Sequence, residues 1–167
     1  CALPIFATMN TKDKTVKLTS LMRDMFVQIP GYKDNKLNAA YEIGGVPLLY
    51  ETIQSNFDIK MDGSAMVCFA DFEGLIDKLG GVQISLTAQE ASYLNKTNYI
   101  SNPEYRRVVE GVQILNGNQA LGYCRIRYVA TGDDQRNDYG RTSRQRVFLN
   151  AIFEQYKSES LIELALL

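Results

Sequence analysis

The chain reads as a mixed α/β protein, with α+β as the alternative. Three observations lead there. Short runs of strand character interleave with longer runs of helical period. Glycine pairs and a Pro-Gly step stand between them as breaks. A chain of 167 residues, 46% of them apolar, suits one domain with a core that needs no staples.

The elements follow in order. Residues 4–9 and 15–19 predict two strands joined across the polar turn 11–14 as a hairpin. Residues 25–29 form a third strand candidate, stopped by Pro30-Gly31. From Lys36, Leu37, Ala40 and Tyr41 recur at helical spacing until Gly44-Gly45 breaks the pattern. Pro47 suits the first turn of a second helix with Leu49, Ile53 and Phe57 on one face. Residues 65–70 read as a short apolar strand, and 71–79 as a helix ended by Gly80-Gly81. Residues 82–86 read as a strand, and 87–110 as a polar, irregular surface excursion. Asn116 with Gln119 has the form of a capping box opening a helix. A last helix is expected over about 139–157.

Charge and composition narrow the function. The net charge is −1, and there is no basic stripe, which weighs against a general nucleic-acid binder. The absence of histidine removes the commonest general base and most zinc sites. Cys1, Cys68 and Cys124 have no CxxC spacing and no disulfide framework. No run of about 18 apolar residues stands ready to span a membrane. Six of the nine arginines fall between Arg125 and Arg146, a local cluster that points to a discrete anion site.

The last helix concentrates that signal. At 100° per residue, Phe148, Leu149, Ile152, Phe153 and Tyr156 share a face, and Gln145 and Arg141 continue it toward the N-terminus. Asn150, Glu154 and Lys157 point away, with Arg146 at the edge. An inward guanidinium at the positive end of a helix is unfavourable unless an anion meets it, and helix N-termini bind phosphates. If residues 125–128 are extended, Arg125 and Arg127 share one side of the chain and converge there. A purely structural reading stays open: Asp138 pairs with Arg141 and caps the helix.

Several blocks resemble one family, in order along nearly the whole chain. They are Thr19-Ser20-Leu21-Met22-Arg23-Asp24; Gly31-Tyr32 with Lys36-Leu37-Asn38-Ala39-Ala40-Tyr41 and Gly44-Gly45; and Asp71-Phe72 with Leu75-Ile76-Asp77-Lys78-Leu79-Gly80-Gly81-Val82. Then come Leu115-Asn116-Gly117-Asn118-Gln119-Ala120-Leu121-Gly122-Tyr123-Cys124-Arg125-Ile126-Arg127 and Asp138-Tyr139-Gly140-Arg141-Thr142-Ser143-Arg144-Gln145. Together they resemble the LytR–CpsA–Psr family of cell-envelope phosphotransferases.

The resemblance implies a single-domain αβα sandwich around a mixed, largely antiparallel sheet, enclosing an apolar pocket for a polyprenyl tail. It implies an extracytoplasmic enzyme, held at the bacterial membrane by an N-terminal anchor outside this chain, with residues 1–167 as its catalytic domain less an N-terminal part. The activity implied is transfer of a glycan phosphate from a polyprenyl diphosphate carrier to a hydroxyl of a cell-wall glycan such as peptidoglycan, as in capsule or teichoic acid attachment. Arg23, Lys36, Arg125, Arg127, Arg141 and Gln145 match head-group positions expected at one cleft, with Asp24 orienting nearby arginines. Asp138, with Arg127 and Arg141, carries the catalytic expectation: it matches an acidic position proposed to activate the acceptor hydroxyl. Val46, Leu49, Tyr50 and Ile53 are candidates for the lipid pocket or, alternatively, plain core.

Two departures qualify the resemblance. The family holds magnesium through acidic side chains near the start of the domain; Ala2 stands where one is expected, and the other lies upstream of this chain. Weak or no magnesium binding is therefore expected. The loop 130–137 is longer than the family's pattern and is a candidate to shape the acceptor site. Two rival functions remain: a non-catalytic module holding a lipid diphosphate or anionic glycan, and a DNA-binding regulator, which the charge disfavours.

Overall fold

The structure is a computed structural model that describes residues 4–10, 12–13 and 15–156. The expected Cys1, Ala2 and Lys157 features, and parts of the 11–14 turn, lie outside the described residues. The chain divides into two compact units, Cys1–Met66 and Val67–Leu167.

In the first unit β1 (Ile5–Asn10) and β2 (Thr15–Ser20) pair antiparallel, with Asn10 opposite Thr15. Asn10 closes the hairpin as an Asx turn: its Oδ1 accepts from the Lys12 and Asp13 amides at 3.0 and 3.2 Å. The third predicted strand shortens to β3 (Phe26–Val27), paired antiparallel with β4 (Asn35–Lys36). The helical segment is α1 (Leu37–Phe57), kinked where predicted: Gly45 has φ 64°, outside helical space. Gly44 also allows close approach, since a Cβ there would meet Leu48 Cβ at 2.6 Å. Val27, Ile29, Leu37, Ala40, Leu48 and Ile53 form this unit's core. Asn56 ties α1 to the strand region, its Nδ2 donating to Gln28 O at 2.8 Å and its Oδ1 accepting from Gln28 N at 3.1 Å.

The second unit begins with α2 (Phe69–Lys78), capped by Cys68 and ended by Gly80 and Gly81 at φ 77° and 93°. The expected strand over 65–70 is absent: residues 64–68 are irregular and Phe69 and Ala70 open the helix. A short apolar run does not separate strand from helix by period alone, and the Cys68 thiol accepting from Asp71 N sets the boundary. β5 (Val82–Leu86) follows, Val82, Ile84 and Leu86 inward, paired antiparallel with β6 (Gly111–Leu115).

Between them the expected irregular excursion is instead ordered. Thr87 and Glu90 form a capping box that starts α3 (Ala88–Lys96), and a single 3₁₀ turn covers Pro103–Tyr105. Ala91, Leu94, Ile100 and Val108 of this stretch are buried in the unit's core.

The predicted Asn116–Gln119 capping box opens α4 (Gly117–Arg125). Gly117 lies against α2 so closely that a Cβ would meet Glu73 O at 2.1 Å. α5 (Asn137–Tyr156) closes the unit. The α/β class is thus as expected, its strands arranged as three two-stranded antiparallel sheets among the described residues. None of the described helices is long and apolar enough to cross a membrane.

Candidate functional site

The connection from α4 to α5 carries the arginine chemistry. Its ends are tied together where the Asn137 amide donates to Arg127 O at 2.7 Å, with Asn137 in the left-handed region at φ 56°. Inside, Thr131 folds the loop on itself: the Thr131 and Gln135 backbones and the Thr131 hydroxyl exchange hydrogen bonds at 2.9–3.2 Å. Gly140 is needed where α5 leaves this loop, since a Cβ would meet Gln135 O at 2.6 Å.

Arg127 and Asp138 meet across that tie. Arg127 Nη2 donates to Asp138 Oδ1 and Oδ2 at 2.7 and 2.9 Å. Arg141 Nη2 reaches the same Oδ1 at 2.6 Å, one turn along the helix. Two guanidiniums on one carboxylate leave one positive charge in excess. The side chains are only partly exposed, at 32%, 21% and 11% for Arg127, Asp138 and Arg141, so this charge is incompletely screened. Asp138 sits in the first turn of α5. The expected Asp138–Arg141 pair is present, but both carboxylate oxygens go to arginines.

Arg125 differs from its expected placement. It is the last residue of α4, not part of an extended run, and its exposed guanidinium lies over the rings of Phe69 and Tyr99 at 5.1 and 5.7 Å. A cation there complements the helix C-terminus. Gln145 turns its amide onto Cys124 O at 3.3 Å, so that donor is used within the protein.

The first unit holds the other expected head-group residues. Arg23 Nε lies 3.5 Å from Asp24 Oδ1. Arg23 O accepts from the Asn38 amide at 3.1 Å, placing Arg23 beside the start of α1, where exposed Lys36 is the N-cap. Of the lipid-pocket candidates, Ile53 is core, at 1% exposure. Leu49 packs against that core, and Val46 and Tyr50 are half-buried.

Sequence reasoning missed one side chain of the last helix. Arg144 is fully buried. Its Nε donates to Glu90 Oε1 at 2.7 Å, and its Nη2 and Nη1 donate to Val129 O at 2.8 Å and Ile126 O at 3.3 Å. Glu90 Oε2 accepts from the Thr87 amide at 2.9 Å. Arg144 thereby anchors the backbone on both sides of Arg127 to the buried capping box of α3. The signal was its position one turn before Phe148. Phe153, expected inward, is 45% exposed. The buried stripe centres on Phe148 and Arg144, and a residue five positions past Phe148 is turned about 140° away. Nearby, burial raises the Cys124 thiol and the Tyr123 phenol well above their ordinary ranges; Glu90 adds to the shift at Tyr123.

No group of three or more His, Cys, Asp or Glu side chains able to hold a metal occurs among the described residues. Asp138, the carboxylate at the arginine site, is engaged by guanidiniums. The described residues therefore do not fit a magnesium centre.

The family model described as "LytR_cpsA_psr family" matches residues 4–165. Biofilm regulatory protein A of Streptococcus mutans is 35% identical over 159 residues, covering 90% of this chain and 37% of that protein. The polyisoprenyl-teichoic acid–peptidoglycan teichoic acid transferase TagU of Enterococcus faecalis is 34% identical over 157 residues, covering 92% and 46%. A solved structure of the family protein YwtF (TagT) with bound octaprenyl pyrophosphate lipid aligns with TM-score 0.72 at 30% identity, over 93% of this chain and 59% of that one. The chain thus spans about two fifths of these two relatives' length. With nearly all of its residues matched by the family model, the chain belongs to the LytR–CpsA–Psr family.

Proposed function

We propose that this chain binds a polyprenyl diphosphate-linked glycan and transfers the glycan phosphate to a hydroxyl of a cell-wall glycan, on the extracytoplasmic face of the membrane. The observation that carries the reading is the Arg127–Asp138–Arg141 group, with its excess positive charge at the start of α5. Planar guanidiniums match phosphate oxygens in pairs, and Arg125 adds an exposed cation at the end of α4. Arg23 and Lys36, with Asp24 orienting Arg23, are assigned head-group contacts on their match to the family's blocks. The transferase TagU and the lipid-bound TagT are similar proteins that support this substrate class.

The reaction needs positioning and charge stabilisation more than covalent chemistry. The acceptor oxygen attacks the phosphorus that bears the glycan. The bond from that phosphorus to the bridging oxygen breaks, and polyprenyl phosphate leaves with the electron pair. Arg127 and Arg141 stabilise the charge developing on the phosphate oxygens. Asp138 takes the acceptor's proton. Its Oδ2 accepts one hydrogen bond, from Arg127, and a carboxylate oxygen accepts two, so a hydroxyl has a place.

One feature favours a second reading, a binding module without turnover. A carboxylate clasped by two arginines is also a structural pair. Release of polyprenyl phosphate from a lipid-linked glycan in the presence of acceptor decides between them. The parent chain should release it, and Arg127→Gln should bind the lipid diphosphate roughly 10- to 100-fold more weakly through loss of a charge-assisted contact. Binding without release makes the protein a module. Unchanged binding by Arg127→Gln removes the arginine site.

A further inference from the structure

The second unit has a cavity of about 480 Å³ that the transfer chemistry leaves without an occupant. That volume lies in the ~300–1,000 Å³ range of small-molecule sites. Gln89, Ser92, Tyr93 and Lys96 of α3 line one wall, and Tyr128 and Arg136 of the α4–α5 connection line another. The connection carries Arg127 and leads directly into the first turn of α5, where Asp138 stands. Tyr128 follows Arg127, Arg136 stands two residues before Asp138, and the Asn137 amide ties these flanks together at Arg127 O. On the α3 side the Tyr93 ring packs against Tyr99 at 5.4 Å, and Tyr99 carries the Arg125 guanidinium at 5.7 Å. The cavity's lining thus includes chain neighbours of Arg127 and Asp138, and its Tyr93 packs against the ring that carries Arg125.

Its lining is chemically selective. Tyr128 is 70% exposed, an uncovered aromatic face with a polar tip. A pyranose ring has an apolar C–H face to lay against such a ring, and hydroxyls and amides to pair with Gln89 and Ser92. Lys96 and Arg136 are exposed cations, and no carboxylate lines the cavity. Arg136 has one weak partner, exposed Asp134 at 3.7 Å, a solvent-screened pair that leaves it available to an anion. One ammonium and one guanidinium offer a single anion such as a sugar carboxylate charge-assisted hydrogen bonds, while the paired guanidiniums of Arg127 and Arg141 already match the diphosphate.

We propose that this cavity seats the acceptor: a glycan chain bearing a carboxylate, whose sugar stacks on Tyr128 and whose anionic group meets Lys96 and Arg136. The assignment rests on the transfer reading above, in which Asp138 receives the acceptor's proton. It also gives the loop 130–137 a role, since Ala130 and Arg136 of that loop line the cavity.

Three probes separate the possibilities by calorimetric titration of the chain: a soluble N-acetylglucosamine–N-acetylmuramic acid oligosaccharide, which carries carboxylates; chitotetraose, which is neutral; and a polyprenyl diphosphate in detergent micelles. The parent should bind the carboxylated glycan more tightly than chitotetraose. Tyr128→Ala should weaken both sugars about tenfold, the scale of one aromatic contact. Lys96→Ala combined with Arg136→Ala should bring the carboxylated glycan to the level of chitotetraose and leave chitotetraose unchanged. All variants should bind the lipid within twofold of the parent. The proposal is overturned if the parent binds neither sugar, if the variants bind both like the parent, or if lipid binding falls in step, which would give the cavity to the donor. If the parent binds the carboxylated glycan in this manner but no lipid diphosphate, the cavity stands as a glycan site and the transfer reading fails.

Discussion

Arg144 offers a quantitative test of how the arginine site is held. The side chain has no exposed surface, and its partner Glu90 is 3% exposed. Arg144→Met keeps most of the volume but removes the charge and the three hydrogen bonds to Glu90, Ile126 and Val129. It leaves a buried carboxylate whose remaining bond is to the Thr87 amide. Breaking a buried pair from one side costs about 3–5 kcal/mol, most of it the uncompensated charge. Glu90→Met breaks the pair from the other side and also the α3 capping box. The double variant removes both charges, so it should be less destabilised than the sum of the singles by about 2 kcal/mol or more. Urea denaturation of the four proteins measures this coupling. Hydrogen exchange at the Asn137 amide reads the local effect, because the Ile126 and Val129 carbonyls flank Arg127, whose own carbonyl that amide binds. An Arg144→Met stability within about 1 kcal/mol of the parent, or an Asn137 amide as protected as in the parent, would refute a structural role for this buried pair.

Two further outcomes follow from packing and burial. Gly117→Ala forces a methyl to within 2.1 Å of Glu73 O; it should destabilise the second unit by roughly 1–3 kcal/mol or more, read by the same denaturation experiment, and a neutral result would contradict the α2–α4 approach. Cys124, buried and with its thiol pushed up, should resist alkylation in the folded protein at pH 8–9 while exposed Cys68 reacts, as peptide mass spectrometry would show. The sign for stability follows: the unfolded thiol ionises above about pH 8.5 and the folded one does not, so Cys124 contributes stability below that pH that is lost as pH rises. Equal labelling of the two cysteines would contradict this.

What was legible in the sequence was what local chemistry decides. The polar turn 11–14 between two strand-like runs marked the hairpin, Asn116 with Gln119 the start of α4, and Gly80-Gly81 the end of α2. Gly44-Gly45 marked the break in α1, where both residues leave helical space between two helical stretches. The errors came where tertiary context decides. Residues 65–70 are apolar in a way that suits either a strand or a helix start. The stretch 87–110 reads as polar, yet Thr87 and Glu90 have the spacing of a capping box, and Ala91, Leu94 and Ile100 face the core. Glu90 is polar in composition and buried in fact, because its partner is 54 residues away in Arg144. No local pattern reveals such a pair. Arg127 and Asp138 were flagged by the family's blocks; the two hydrogen bonds from Arg127 Nη2 to the Asp138 carboxylate are a tertiary fact.

The most direct test of the central claim is transfer by Asp138→Asn. Asparagine keeps the shape and a carbonyl for Arg127, but cannot take the acceptor's proton. The variant and the parent are compared for binding of a polyprenyl diphosphate and for release of polyprenyl phosphate from a lipid-linked glycan with acceptor present. The variant should keep affinity within about threefold of the parent and intact folding, and turnover should be lower by about 10²–10⁴-fold. Transfer at the parent rate would contradict it, leaving Asp138 as the arginines' structural partner and no more.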